Sequence, residues 1–227
     1  MTTSFFKYTM SFSPKVLLSS SSRERCVARV KELPTLAFFE EKPTTLASVL
    51  VPLCVVGDEV HILYTKRSMN LKIHKGQVSF PGGKMDNNES VVETALRETE
   101  EEIGVAREDV DVWGQMSGIQ GRNKDMLITP VIGEIKNFKM DKLTPNPQEV
   151  EEIFTVPISA LCNTENHAHL EFKPPLPVYM YGKHKIWGIT GLITHLFLQC
   201  LLPENVYRVD FLRKKFTLSE LTMLSKL

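Results

Sequence analysis

Glu98, Glu100, Glu101 and Glu102 crowd four carboxylates into the run Arg97-Glu98-Thr99-Glu100-Glu101-Glu102-Ile103-Gly104. On a helix, residues four apart lie about 40° apart around the axis and residues three apart about 60°. Glu98, Glu101 and Glu102 therefore share one face, and Glu100 points away from it. Glutamate runs ordinarily form solvated faces. The alternative is a hard divalent cation, Mg²⁺ or Mn²⁺, which takes oxygen ligands and would cancel the repulsion. The flanking residues favour the ion. Gly82-Gly83 permits a sharp turn and frees a backbone carbonyl. Arg97 can hold neighbouring carboxylates by paired hydrogen bonds. Glu89 stands near the helix entry, where the helix dipole favours an anion.

A second charged feature leads into the first. From His61 to Met85 the chain has no acidic residue, but it carries Lys66, Arg67, Lys72, Lys75 and Lys84, with His61 and His74. One element collects positive charge and the next collects carboxylates. Together they describe a site for a metal and a substrate with several phosphates. Lys66 and Lys84 read as ordinary surface lysines.

The elements that must position these groups follow from periodicity. Val91, Val92, Ala95, Leu96, Thr99 and Ile103 recur at helical spacing and form an inward face. That helix begins near Glu89 or Ser90, and Gly104 stops it. Thr45 to Val56 is an apolar, β-branched run followed by Gly57-Asp58 and then Glu59 to Arg67. This reads as two strands about a tight turn, the first buried on both faces and central in a sheet. Upstream, Ser21 and Glu24 have capping-box spacing, so a helix is expected from about Arg23 to Leu33, ended by Pro34. Downstream, "VDVWGQMSGIQ" and "MLITPVIGEI" read as a strand pair around the polar 121–125 loop. "TPNPQEVEEIFTVP" is a Pro-bounded linker carrying Glu149 in an acidic segment. "PVYMYGKHKIWGITG" reads as a hairpin strand entering a last long helix near Thr190. The order implies a single α/β domain with a mixed sheet and helices on both faces.

Composition narrows the function. The 227 residues balance 27 basic against 27 acidic, so a general nucleic-acid binder, usually strongly basic, is not expected. No segment reaches the roughly 20 apolar residues of a membrane span. Cys26, Cys54, Cys162 and Cys200 lack metal-ligand or redox spacing and read as reduced thiols.

Gly83, Glu89 and the run Arg97 to Val105 resemble the Nudix box, with Thr99 where the general pattern has an aliphatic residue. The resemblance implies the Nudix α/β/α sandwich and metal-dependent hydrolysis of a nucleoside diphosphate linked to another group. It implies Glu98 and Glu102 as metal ligands, Glu101 next, and Glu89 and the Gly83 carbonyl behind them. Arg97 would hold the carboxylates in place. "LYTKRSMNLKIHKGQVSFPGG" further resembles the signature preceding the box in coenzyme A diphosphatases, through Leu63, Thr65, Arg67, Ser68, Gly76 and Phe80-Pro81-Gly82-Gly83. Lys72 replaces the arginine usual there, which keeps charge and loses bidentate geometry.

That resemblance, closest to the mitochondrial and peroxisomal animal branch, implies hydrolysis of coenzyme A or acyl-coenzyme A to 3′,5′-ADP and (acyl-)4′-phosphopantetheine. Arg67, Lys72, His74 and Lys75 are the candidate phosphate contacts, and Glu101 or Glu149 the general base. The rival readings are a Nudix hydrolase of another nucleoside diphosphate derivative and a non-catalytic domain that binds coenzyme A or a nucleotide. The expected division is a leader and helix over 1–40, the Nudix domain over 41–202 and a tail over 203–227. Ser225-Lys226-Leu227 resembles the tripeptide read by the peroxisomal import receptor. The Ser-rich start, without an acid before Glu24, leaves the mitochondrion as the alternative. Oligomeric state stays open.

Overall fold

The computed structural model describes residues 12–37, 42–121 and 125–223. The first eleven residues and the Ser225-Lys226-Leu227 tripeptide lie outside them. In chain order, α1 (Pro14–Leu17) and α2 (Ser20–Glu32) precede β1 (Thr45–Val56) and β2 (Glu59–Arg67). Short strands β3 (Val78–Ser79) and β4 (Gly82–Lys84) lead into α3 (Val91–Ile103). Then come β5 (Val110–Gln115), β6 (Ile119–Gln120), β7 (Met126–Ile135) and β8 (Val150–Pro157). The chain continues through α4 (Ile158–Cys162), β9 (His167–Leu170), β10 (Leu176–Tyr181), β11 (His184–Ile186), α5 (Gly188–Leu201), β12 (Lys215–Phe216) and α6 (Leu218–Met223).

β1 is the centre of a mixed eight-stranded sheet. It pairs antiparallel with β2 and β4 and parallel with β7 over its length. The alternation of a strand splits its apolar residues between two cores. Leu50 and Cys54 of β1, with Leu63 of β2, face Ala95 and Ile103 of α3. Val51 and Leu53, with Ile62 and Tyr64, face Cys26 and Val30 of α2 and Phe197 and Leu201 of α5. The sheet thus has α3 on one side and α2 with α5 on the other, the expected sandwich. By the same alternation Arg67, four residues beyond Leu63, ends β2 on the α3 side.

α3 is held at both ends. Ser90 accepts a hydrogen bond from the Glu93 N–H, and the Glu93 side chain accepts from the Ser90 N–H at 2.7 Å. Such a box satisfies two of the N–H groups that a helix start leaves unpaired. Gly104 closes the helix at φ 75°, and a Cβ there would stand 1.9 Å from the Thr144 hydroxyl oxygen.

Two expectations change. α2 begins at Ser20, capped by Ser19, whose hydroxyl accepts from the Ser22 N–H, in place of a box between Ser21 and Glu24. Four consecutive serines offer nearly equivalent caps, and Ser19 is the one used, its hydroxyl also donating to the Val16 carbonyl at 2.9 Å. The second change is an additional four-stranded sheet, β11-β10-β9-β12. Its β12 comes from the stretch read as a tail and pairs parallel with β9. The same stretch buries Tyr207, whose hydroxyl bonds to Tyr179 and to Nδ1 of His195. No helix among the described residues is long and apolar enough to cross a membrane.

Candidate active site

Three elements meet at the C-terminal half of α3. β4 runs beside it, with Gly83 paired to Ser48 of β1. The 143–149 loop is tied to the end of α3, because Thr144 N–H donates to the Ile103 carbonyl and Asn146 N–H to the Glu102 carbonyl, at 3.0 and 2.9 Å. These bonds use carbonyls that the helix end leaves unpaired. They also bring Glu149 to the site from a distant part of the chain. Ser68, just after β2, donates its N–H to the Glu149 carbonyl at 2.8 Å.

The result is a cluster of Glu98, Glu102 and Glu149, each of which offers one carboxylate oxygen within 4.8 Å of those offered by the other two. Glu102 is only 2 % exposed. Burial above all, then Glu149 and Glu98, push its carboxyl up to about 8, against the pull of Arg67 and of the Gly82 N–H. Glu98 is also raised, first by burial, although Arg97 beside it acts the other way. A buried anion next to like charges is costly unless a cation joins it. One buried and two half-buried carboxylates are hard oxygen donors close enough together to share a divalent ion, so the residues present fit such an ion.

Arg97 organises the exposed side of the cluster. Its guanidinium donates to Glu89 at 2.7 and 3.0 Å, to Glu98 at 3.0 Å, to Glu101 at 3.2 Å and to the Lys84 carbonyl at 3.2 Å. The hydrogen bond from Arg97 is the main reason the Glu89 carboxyl falls to about 2. Glu89 is therefore committed to Arg97, Thr94 and the Asp86 N–H. Glu101 shares a helical face with Glu98, but its side chain is 57 % exposed and bonded to Arg97, outside the trio. Glu100 points away, to Arg107.

Gly83 lies against the cluster. A Cβ on it would stand 2.4 Å from the carboxyl carbon of Glu98. Arg67 is half-buried, acts on Glu102 through its charge, and has a buried Nε–H without a partner. An unpaired guanidinium donor beside a carboxylate cluster can take an anionic substrate oxygen. Lys72, His74 and Lys75 lie exposed on the 68–77 loop. His74 sits at φ 54°, with Nδ1 3.1 Å from the Gln77 side-chain oxygen. Lys66 is taken by Glu151.

The sequence offered no local signal for Glu102 as a buried carboxylate, nor for Glu149 in the trio over Glu101. The four cysteines are unbonded. Burial lifts the thiols of Cys26, Cys54 and Cys162 to about 12 and that of Cys200 to about 11, far from a reactive thiolate.

The raised Glu102 pKa has a stability consequence. The carboxyl moves from 4.5 to about 8 on folding, so the folded state favours its protonated form. Stability from this group is complete below the lower value and is lost as pH rises through the upper one. Metal-free protein is therefore expected to melt at lower temperature as pH is raised from about 5 to 8, with millimolar Mg²⁺ reversing most of the loss. Thermal melts in EDTA and in MgCl₂ across that range check it. A flat EDTA profile would remove the strained buried carboxylate.

Residues 44–176 match the family described as NUDIX domain. A mitochondrial coenzyme A diphosphatase of Mus musculus is 39 % identical over 194 residues, 82 % of this chain and 90 % of its own. The protein of the same description from Homo sapiens is 42 % identical over 165 residues, 69 % of this chain and 70 % of its own. A peroxisomal coenzyme A diphosphatase of Mus musculus is 42 % identical over 181 residues, 72 % of this chain and 74 % of its own.

Proposed function

Since this chain belongs to the Nudix family, we propose that it hydrolyses the diphosphate bond of coenzyme A and its thioesters, giving 3′,5′-ADP and (acyl-)4′-phosphopantetheine. The observation that carries the reading is the Glu98, Glu102 and Glu149 trio beside an unpartnered Arg67 donor. The relatives, coenzyme A diphosphatases by name, support the substrate.

Glu98 and Glu102 would hold the divalent ion, Mg²⁺ or Mn²⁺, with Glu149 and the Gly83 carbonyl beside them. When bound, such an ion supplies neutralisation of the charge on the diphosphate oxygens. Arg97 fixes the Glu98 carboxylate by hydrogen bonding. Arg67 binds a diphosphate oxygen, and Lys72, His74 and Lys75 meet phosphate charge from the adjacent loop. A carboxylate must accept a proton as water attacks phosphorus. Glu149 suits that role because its carboxylate belongs to the trio and its backbone is anchored to Ser68. Glu101 is the other candidate, working from the solvent side of Arg97.

The test is a substrate panel with purified protein and Mg²⁺ or Mn²⁺: coenzyme A, short and long acyl-coenzyme A, NADH and ADP-ribose. Release of 3′,5′-ADP from the coenzyme A compounds, at rates above those for the other two, is expected. Faster turnover of NADH or ADP-ribose would move the chain to another diphosphate. Binding of coenzyme A without turnover would make it a sensor. Arg67→Ala should lower kcat/KM for coenzyme A by about thirtyfold, the loss of roughly 2 kcal/mol from a charged hydrogen bond. An unchanged value would take Arg67 out of the site.

The relatives' descriptions divide between mitochondrion and peroxisome. Ser225-Lys226-Leu227 is the feature of this sequence that favours the peroxisome, through its import receptor. An N-terminally tagged fusion should lose its peroxisomal signal when the three residues are removed. A mitochondrial signal in both forms would decide for the other organelle.

A further inference from the structure

We infer that the apex of the 68–77 loop reads the acyl group of the substrate, with Met69 and Ile73 covering the alkyl chain of a coenzyme A thioester; this rests on the coenzyme A reading above. The root of the loop is fixed at the site. Arg67 N–H donates to the Gln77 carbonyl and Gly76 N–H to the Arg67 carbonyl, both at 2.9 Å, which closes its neck. Ser68 ties the same root to the Glu149 segment through its N–H and, at 3.2 Å, its hydroxyl on the Pro147 carbonyl.

From this anchored base the loop presents two large aliphatic side chains to water, Met69 at 41 % and Ile73 at 61 % exposure. Isoleucine is among the residues most often fully buried. Lys72 and Lys75 are exposed on the same short loop. Cations and aliphatic groups side by side suit a ligand that is polyanionic at one end and apolar at the other. Two side chains are far too little surface for a stable protein partner.

The nucleotide end of the substrate fits the apex poorly. A purine is held by stacking on an aromatic or guanidinium plane. Residues 68–77 include no Phe, Tyr, Trp or Arg, and their one ring, the His74 imidazole, is bonded to the Gln77 side chain. The acyl end fits by chemistry and by reach. It is joined to the diphosphate through the pantetheine arm, and Ile73, three residues before Gly76 at the closed neck, stands at most about 10 Å from that neck. The flexible pantetheine arm is long enough to span that distance.

The experiment compares the unaltered full-length protein with Met69→Ser, Ile73→Ser and the double variant on free, butyryl-, octanoyl- and lauroyl-coenzyme A. In the unaltered protein kcat/KM should rise with chain length, by up to about two- to fourfold per added methylene, until the chain outgrows the two side chains. The double variant should flatten that rise through KM and leave free coenzyme A within about twofold. Equal losses on free and octanoyl-coenzyme A, or no dependence on chain length in the unaltered protein, would overturn the inference while coenzyme A turnover persists. Absence of turnover on free and acylated coenzyme A alike overturns the underlying reading instead. Co-sedimentation with phosphatidylserine vesicles that is lost in the double variant, with the chain-length dependence intact, would assign the two residues to a lipid surface and overturn the inference.

Discussion

Glu102→Gln should cut coenzyme A turnover by at least about a thousandfold while leaving the fold intact. The substitution keeps the shape of a side chain that is 2 % exposed and keeps an oxygen to accept from the Gly82 N–H at 3.4 Å. It removes the charge that makes the trio a cation site. Burying a carboxylate beside Glu98 and Glu149 costs stability, so the metal-free variant should melt higher than the unaltered protein at pH 8. Stabilisation by Mg²⁺ should shrink correspondingly, because ligand-linked stability follows affinity. Kinetics and melts on the same preparation read both effects. Near-normal turnover in this variant would refute the metal-site assignment, whatever the melts showed.

Gly83→Ala should lower activity by about a hundredfold or more with stability changed by no more than about 1 kcal/mol. The new Cβ would stand 2.4 Å from the carboxyl carbon and Oε1 of Glu98 and 2.6 Å from Oε2. Those atoms are the free end of a flexible side chain, so Glu98 swings aside and the backbone stays. The displaced carboxylate then leaves Arg97 and the trio together. The neighbouring glycine gives the contrast. Gly82 has φ 153°, and a Cβ there meets the Ser48 carbonyl oxygen at 2.3 Å and the Val49 Cα at 2.6 Å. Backbone cannot yield so easily, so Gly82→Ala should lower the yield of folded protein. Circular dichroism melts and metal titration by calorimetry separate the two. A Gly83→Ala protein that binds Mg²⁺ normally would show that Glu98 does not depend on that empty space.

Gly82 and Gly83 look alike as letters, and in the sequence they form one flexible turn. Their neighbours make one a requirement of the fold and the other a requirement of the site. Glu101 and Glu149 show the same limit. Spacing groups Glu98, Glu101 and Glu102 on one face of α3, and that grouping is real as helix geometry. Yet Arg97 draws Glu101 outward, and hydrogen bonds from Thr144 and Asn146 to the end of α3 carry Glu149 inward.

What the sequence determined by itself was set by near neighbours along the chain. The span and stop of α3, the register of alternation in β1 and β2, and the crowding of carboxylates beside a basic stretch all arise within a few residues. The Nudix resemblance rests on the same local spacing. Tertiary structure decided which carboxylates meet, how deeply Glu102 is buried, and that residues after Leu202 complete a second sheet through β12. Those outcomes depend on packing and hydrogen bonds between segments far apart in the chain, where no local preference reaches.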